Sequence, residues 1–515
     1  MILTFDLGTT VTKAVLWGEG GHVAWGRSVL RTGYGSGGRA EQDPGTWWPS
    51  LVAACGACLA GADGGVEVEA IGFAAARQTF VPVAPDGTAL GQALLWSDRR
   101  AGAEAELLAL AYGAGGASAA RERTGIALDA GSVAAKIVWL ARHQPERLLE
   151  ARWILSPRDL MARRLTGTVN TDHTLASATG LYEVGGGVSS DHGMHLVLEA
   201  LGETIDQVGG RSGAGRLDRI AAARLPPVVP STTVVGPLLG EPAAELGIPA
   251  GVPVVIGAGD RACEVLGSGA SATRPMVSWG TTANVSVPVA TLDHPRSPAL
   301  LTTRGALGGW LLEGGLSGAG SILEWLARLT GCDVETLVDR AAASPPGADG
   351  VIALPWLGGA RAPWWRDDAH GAFVGLGLNH DAGDLARAVI EAVAWEVLRC
   401  LEAAGASGVA GGCTPTGLAL GGAGATHALW TEILTSVTGL PAQRRTSGEA
   451  ASTGALLVAA HATDVDVDLD DVDPLGDEII PDPATVATYR ALRHAAEAAA
   501  TSAMETEREH TENMA

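Results

Sequence analysis

The sequence predicts an α/β protein of two large domains that face each other across a cleft, and three observations carry that expectation. The first is length: 515 residues exceed what one core serves comfortably. The second is alternation. Short apolar β-type runs such as Leu94–Trp96 and Val252–Ile256 are each followed, after a polar turn, by a helical pattern. The third is duplication, because Leu3–Lys13 (LTFDLGTTVTK) and Met276–Val289 (MVSWGTTANVSVPV) both set Gly-Thr-Thr between two β-rich runs, roughly half a chain apart. The Pro- and Gly-rich stretch Leu225–Val252 is the natural boundary, giving domains 1–248 and 249–515.

In the first hairpin Gly8 permits the reversal, and the N–H groups around Thr9 and Thr10 form an anion-binding nest. Asp6 stands where a carboxylate can hold a hydrated divalent metal beside bound phosphates. One such hairpin is an ordinary turn with an exposed acid. Two of them, the second at Gly280, Thr281 and Thr282, make an ATP-binding clamp. Lysine occurs only at positions 13 and 136, which marks Lys13, just past the first loop.

A third strand, Val23–Leu30, completes a meander, and Pro44 stands near the start of a helix that carries Trp47 and Trp48 and runs to Leu59. Cys55 and Cys58 lie inside that apolar pattern and read as core, since no second ligand pair accompanies them. The run Val68–Ala74 ends in Arg77, Gln78 and Thr79, and Leu94–Trp96 ends in Ser97, Asp98, Arg99 and Arg100 before a long Ala/Leu/Glu helix. Ligands bind at the carboxyl ends of strands in open α/β sheets, so two such polar clusters in succession point to a pocket. Helical patterns follow at Ala134–His143 and Ser156–Leu165. Val252–Ile256 runs into Gly257-Ala258-Gly259-Asp260, which aims an acid at the cleft. The stretches Glu313–Leu326 and Leu418–Trp430 are glycine turns feeding helices, where a flat adenine can approach bare backbone. Asp464–Asp482 reads as an acidic surface excursion, and a terminal Ala/Glu/Arg helix follows.

Composition excludes several classes. A net charge of −22 argues against a nucleic-acid partner. No apolar window reaches the roughly 18 residues of a membrane span, and the first residues enter a strand rather than a signal peptide, so a cytoplasmic protein is expected. The oligomeric state is not set by the sequence; a homodimer is compatible with it.

Taken in order, DLGTT, EQDPxxWW, WSDRR, GAGD, the second GTT, GAFVGL followed by DLARAVIE, and LGGAG make the chain resemble the FGGY carbohydrate kinases over nearly its whole length. The resemblance implies two actin-like (ribonuclease H-like) domains, each a mixed five-stranded core flanked by helices, closing on ATP, Mg²⁺ and a sugar or polyol. It implies that Asp6, Gly8, Thr9, Thr10 and Lys13 serve the first phosphate loop, and Gly280, Thr281 and Thr282 the second. Gly320, Leu323, Glu324, Gly422, Ala423 and Thr426 fall where the family contacts adenosine, although glycerol kinases have Gln and Asn in place of Glu324 and Thr426. Asp260 matches the catalytic base and, with Asp6, the metal site. A carboxylate ionised at pH 7 suits phosphoryl transfer, in which the protein positions groups and takes the acceptor's proton.

The acceptor is less legible. Xylulokinases carry Gln-Met-His where this chain has Ala76, Arg77 and Gln78, and Asn in place of Arg261. Glycerol kinases share Arg77 and Thr79, yet place an aromatic residue where this chain offers Gly131, Ser132 and Val133, which leaves a wider pocket. EQDPxxWW leans towards the ketose kinases, so a ketopentose is expected, with glycerol-like polyols or sugar acids as alternatives. Arg77, Gln78, Asp260 and Arg261 are the acceptor candidates. Each guanidinium needs an acid, either from the protein or from a substrate carboxylate. A reading of another class, an actin-like ATPase clamp without an acceptor, is opposed by Asp260 standing with Arg77 and Gln78.

Overall fold

The computed structural model describes residues 1–62, 66–184, 225–292, 298–406 and 414–514. The chain divides into two compact units. Unit 1 comprises Met1–Gly267, Leu301–Trp310 and Glu449–Pro474; unit 2 comprises Ser268–Leu300, Leu311–Gly448 and Leu475–Ala515. A single cut at 248/249 therefore falls inside unit 1, which runs on to Gly267 and takes in a late helix as well.

Unit 1 is built on β1 (Ile2–Leu7), β2 (Val11–Gly18), β3 (Gly21–Val29), β4 (Ala70–Ala75), β5 (Val234–Pro237), β6 (Pro253–Val255) and β7 (Ala258–Gly259). Their order in the sheet is β5-β6-β4-β1-β2-β3, with β7 continuing alongside β4. β1 runs antiparallel to β2 and parallel to β4, so the sheet is mixed. Both β1 and β4 are apolar without strict alternation because both of their faces are covered. On one face Leu3, Phe5 and Leu7 join Ile71 and Phe73 against Leu51, Cys55 and Cys58 of α1 (Trp47–Ala60), so the Cys pair is core. The other face carries Thr4 opposite Gly72, and there the helix Ala450–Ala462 lies on the strands. Asp6 belongs to this second face, and register sets Lys13 directly opposite it.

That late helix explains the unit boundary. It packs along α4 (Asp260–Gly267) at backbone distance: a Cβ on Gly454 would stand 1.9 Å from the Cys263 carbonyl oxygen, and one on Gly267 would stand 2.0 Å from that of Ala450. Of the helices between β4 and β5, α2 (Val133–His143) is capped by Ser132, and α3 (Pro157–Thr166) opens with a Ser156–Asp159 capping box. The long helix expected after Arg100 is instead Gly102–Ala111 and Gly116–Thr124, broken where Gly113 and Gly116 take positive φ of 77° and 47°. The acidic stretch after Asp464 is mostly exposed, but Val472 and Asp473 are buried.

Unit 2 repeats the plan. β8 (Met276–Trp279), β9 (Ala283–Val289), β10 (Trp310–Gly315), β11 (Leu418–Gly421) and β12 (Ala442–Arg444) stand in the order β10-β9-β8-β11-β12. This matches β3-β2-β1-β4-β6 strand for strand, with the same antiparallel hairpin beside parallel neighbours. Helices α5 (Gly320–Thr330), α6 (Ala382–Ala406) and α7 (Ala428–Thr438) flank the sheet, and Pro483–Met514 is the terminal helix. Mixed sheets flanked by helices, present in duplicate, are the actin-like fold.

Candidate active site

In unit 1 the first loop closes between Leu7 and Val11. The Thr10 carbonyl accepts from Leu30 N at 2.8 Å and the Thr9 carbonyl from Gln42 Nε2, which leaves Thr10 exposed at the tip. Beside it Lys13 Nζ donates to both oxygens of Glu449, at 3.0 and 2.7 Å. Burial above all, and then the nearby Asp260 charge, push the Asp6 carboxyl up to about 7; Lys13 opposes the rise, while Glu449 and Glu264 add to it.

Asp260 follows β7 directly and opens α4. Its side chain is 45 % exposed, and its Oδ1 lies 3.7 Å from Arg77 Nε and accepts from Arg261 N at 2.7 Å. Surrounding protein raises its pKa, against the pull of Arg77 and Arg261. Arg261 itself bonds Glu264, three residues along α4, at 2.6 Å. The loop leading to Asp260 is held from behind: fully buried Arg158 donates to Asp172 at 2.7 Å and to the Gly257 carbonyl at 3.0 Å, and Thr174 Oγ1 accepts from Gly259 N at 2.7 Å.

Arg77 and Gln78 form the turn that ends β4, and Gln78 adopts a positive φ of 57°. Its carbonyl accepts from Lys136 Nζ at 2.7 Å. Gln78 also lines a pocket with Thr79, Phe80, Val133, Leu175 and Tyr182. Trp96, just before the second polar cluster, is 45 % exposed and points Nε1 at Thr9 Oγ1, 3.4 Å away. The structure thus gathers Asp6, Lys13, Arg77, Asp260 and Arg261 in one electrostatic neighbourhood. It adds Glu264 and Glu449, which sequence reasoning missed. Glu264 carried a signal, its i+3 spacing from Arg261; Glu449 is recognisable only from the packing of its helix on β1 and β4.

In unit 2 the second loop is braced by its own helix. Gly280 N donates to the Thr282 carbonyl at 2.9 Å, while Gly320 N donates to the Gly280 carbonyl at 2.9 Å and Ser321 N to that of Thr281 at 3.1 Å. One turn on, Leu323 is buried and Glu324 exposed. Gly422 leaves the end of β11, and Ala423–Thr426 is a 3₁₀ turn closed by Thr426 Oγ1 on the Ala423 carbonyl, 2.8 Å away. The Trp279 indole fills the space beside Gly424 and stacks on Trp430, with centroids 6.2 Å apart. All the unit 2 candidates therefore cluster at the carboxyl ends of the parallel strands β8 and β11, with exposed backbone at Gly280, Gly422 and Ala423.

Comparison with known proteins bears on the family and the fold. The chain is 29% identical over 501 residues to a xylulose kinase of Escherichia coli (strain K12), covering 96% of this chain and 97% of that one. To a glycerol kinase of Leptothrix cholodnii it is 28% identical over 493 residues, covering 92% and 93%. A solved gluconate kinase from Lactobacillus acidophilus superimposes with a TM-score of 0.85 at 22% identity, covering 97% of each chain, a likeness of fold. Residues 1–197 match the N-terminal domain of the FGGY family of carbohydrate kinases and residues 276–463 match its C-terminal domain. With both halves matched in order, the chain belongs to the FGGY family of carbohydrate kinases.

Proposed function

We propose that this carbohydrate kinase transfers the γ-phosphoryl of ATP to a hydroxyl of a neutral ketopentose, with Asp260 as general base. The observation that carries the reading is the setting of Asp260: half-buried, preceded by a braced loop, and 3.7 Å from Arg77 at the end of β4. A base needs a carboxylate within reach of the acceptor that can give up and take a proton; burial raises the Asp260 carboxyl, and Arg77 and Arg261 pull it back toward the ionised form. Arg77 and Gln78 orient the acceptor, and a bound hydroxyl attacking phosphorus gives its proton to Asp260. Gly8, Thr9 and Thr10 in unit 1 and Gly280, Thr281 and Thr282 in unit 2 offer N–H groups and hydroxyls to phosphate oxygens, and Lys13 offers a positive charge. Gly320, Leu323, Glu324, Gly422, Ala423 and Thr426 receive the adenosine.

Among the described residues no three His, Cys, Asp or Glu side chains stand together as a metal cage. A hard, largely hydrated cation fits instead, because Asp6 and the neighbouring Asp260, Glu449 and Glu264 are oxygen donors, and burial and then their charges raise the Asp6 carboxyl. Asp6 and Asp260 would hold Mg²⁺, which supplies charge neutralisation to the phosphate oxygens.

A neutral acceptor is favoured over a sugar acid because both arginines already face protein acids: Arg77 faces Asp260 and Arg261 pairs with Glu264. The relation to xylulose kinases supports a ketopentose, and the relation to glycerol kinases keeps polyols as the second reading. ADP release measured over a panel of ketoses, polyols and sugar acids tests this, the fastest acceptor being a ketopentose and each sugar acid slower than its neutral counterpart. Asp260→Asn is expected to lower turnover by about 10²- to 10⁴-fold while ATP still binds. A variant that keeps near-wild-type turnover removes Asp260 from the chemistry.

A further inference from the structure

Lys136 has no part in the chemistry above, yet it is a lysine with no exposed surface. Its Nζ donates to two backbone carbonyls, those of Gln78 and Leu95, each at 2.7 Å. The Gln78 carbonyl lies within the polar segment Arg77–Thr79 after β4, and the Leu95 carbonyl immediately precedes the segment Trp96–Arg100 that follows Ala93–Leu94. We infer that Lys136 is a positioning residue for the acceptor, a buried clamp that joins both strand-end segments into one rigid receptor. The inference rests on the proposed acceptor role of Arg77 and Gln78.

Three features support a clamp over a stability device. First, Gln78 sits at φ 57°, a left-handed conformation unfavourable for a residue with a Cβ, so it persists only under outside restraint. Lys136 supplies that restraint at the Gln78 carbonyl itself. Second, the two segments are tied again by Trp96 N donating to Thr79 Oγ1 at 3.1 Å, while Asp98 anchors the second through Ala40 N at 2.8 Å and Arg100. The Lys136 bonds therefore close a ring of contacts around Arg77, Gln78 and Trp96. Third, burying an amine against carbonyls gains little stability compared with an apolar side chain of equal length. Burial pulls Lys136 down to about 7, with Asp98 and Asp129 resisting. An amine donates to two carbonyls whether or not it is charged. The Phe80 ring, 5.8 Å from Nζ, closes off water on one side.

The test is Lys136→Met, assayed by ADP release with D-xylulose and the panel's other ketoses as probes, alongside Arg77→Ala. The acceptor KM is expected to rise about 10- to 100-fold, the scale of a misplaced orienting group. The ATP KM should stay within about twofold and kcat should fall less than the acceptor KM rises, a split that general weakening of the fold does not produce. An unchanged acceptor KM in Lys136→Met, with Arg77→Ala impaired, overturns the clamp alone. If neither variant moves acceptor KM, the acceptor reading fails instead. Should Lys136→Met not fold, Lys136→Gln, a shorter donor, is read in the same way. Amide exchange in the wild-type protein provides the independent measure: acceptor binding should slow residues 76–80 and 94–98 together, and slowing of one segment alone refutes the coupling.

Discussion

Charged side chains in unit 1 show how one residue's environment sets its chemistry. Arg77 and Arg261 are both guanidinium groups near Asp260, yet Arg261 pairs with Glu264 at 2.6 Å while Arg77 Nε stands 3.7 Å from Asp260 Oδ1. Under the proposed function, Arg77 rather than Arg261 orients the acceptor hydroxyl. Lys136 makes a prediction in the same terms. An unfolded lysine titrates near 10.4, whereas burial brings Lys136 to about 7. Between those values the unfolded chain binds the extra proton, so the Lys136 contribution to stability rises with pH, by at most about 1.4 kcal/mol per unit. Urea unfolding of wild type and Lys136→Met at pH 7, 8 and 9 should show the stability difference shifting in favour of wild type as pH rises. A flat difference means the amine keeps an ordinary pKa.

Single contacts between elements matter as much as single charges. The helix Ala450–Ala462 brings Glu449 to Lys13, covers Gly72 of β4 and meets α4 glycine to backbone. Because α4 begins with Asp260, a displacement of the late helix is expected to reach the proposed base. Gly454→Ala puts a Cβ 1.9 Å from the Cys263 carbonyl, so helix or backbone must shift. Overpacking of this kind costs about 1–3 kcal/mol. The expected result is a lowered unfolding midpoint in urea together with reduced turnover; unchanged values for both would mean the two helices are not seated against each other as described.

For the molecule as a whole, duplication of the mixed sheet assigns one Gly-Thr-Thr loop to each unit. Nucleotide binding should then be separable from chemistry. ATP at about 100 times its Kd stabilises whatever folded state it binds by about 2.7 kcal/mol. Differential scanning fluorimetry should show an upward shift in the melting temperature with the non-hydrolysable analogue AMP-PNP and Mg²⁺, retained in Asp260→Asn and reduced when Gly280 is replaced by Leu. A Gly280→Leu protein with an undiminished shift would exclude the second loop from the nucleotide site.

Much of this was readable in order along the chain because strand, turn and helix are local matters. The hairpin at Gly8, the Ser156 cap, the strand that runs into Asp260 and the glycine turn after β11 each follow from period, turn residues and capping within a dozen positions. The chain order of the motifs was also enough for the family. What residues 260 to 267 pack against was not local. That α4 sits in unit 1 depends on a helix nearly two hundred residues later, whose glycine lets the two backbones touch, and no spacing in the sequence records that meeting. The same holds for Glu449 beside Lys13 and for the one buried lysine spanning two loops. Each depends on which side chains share a small volume. Register and helix packing decide that, because charge pairing and desolvation act over a few ångströms of space however far apart the residues lie in the chain.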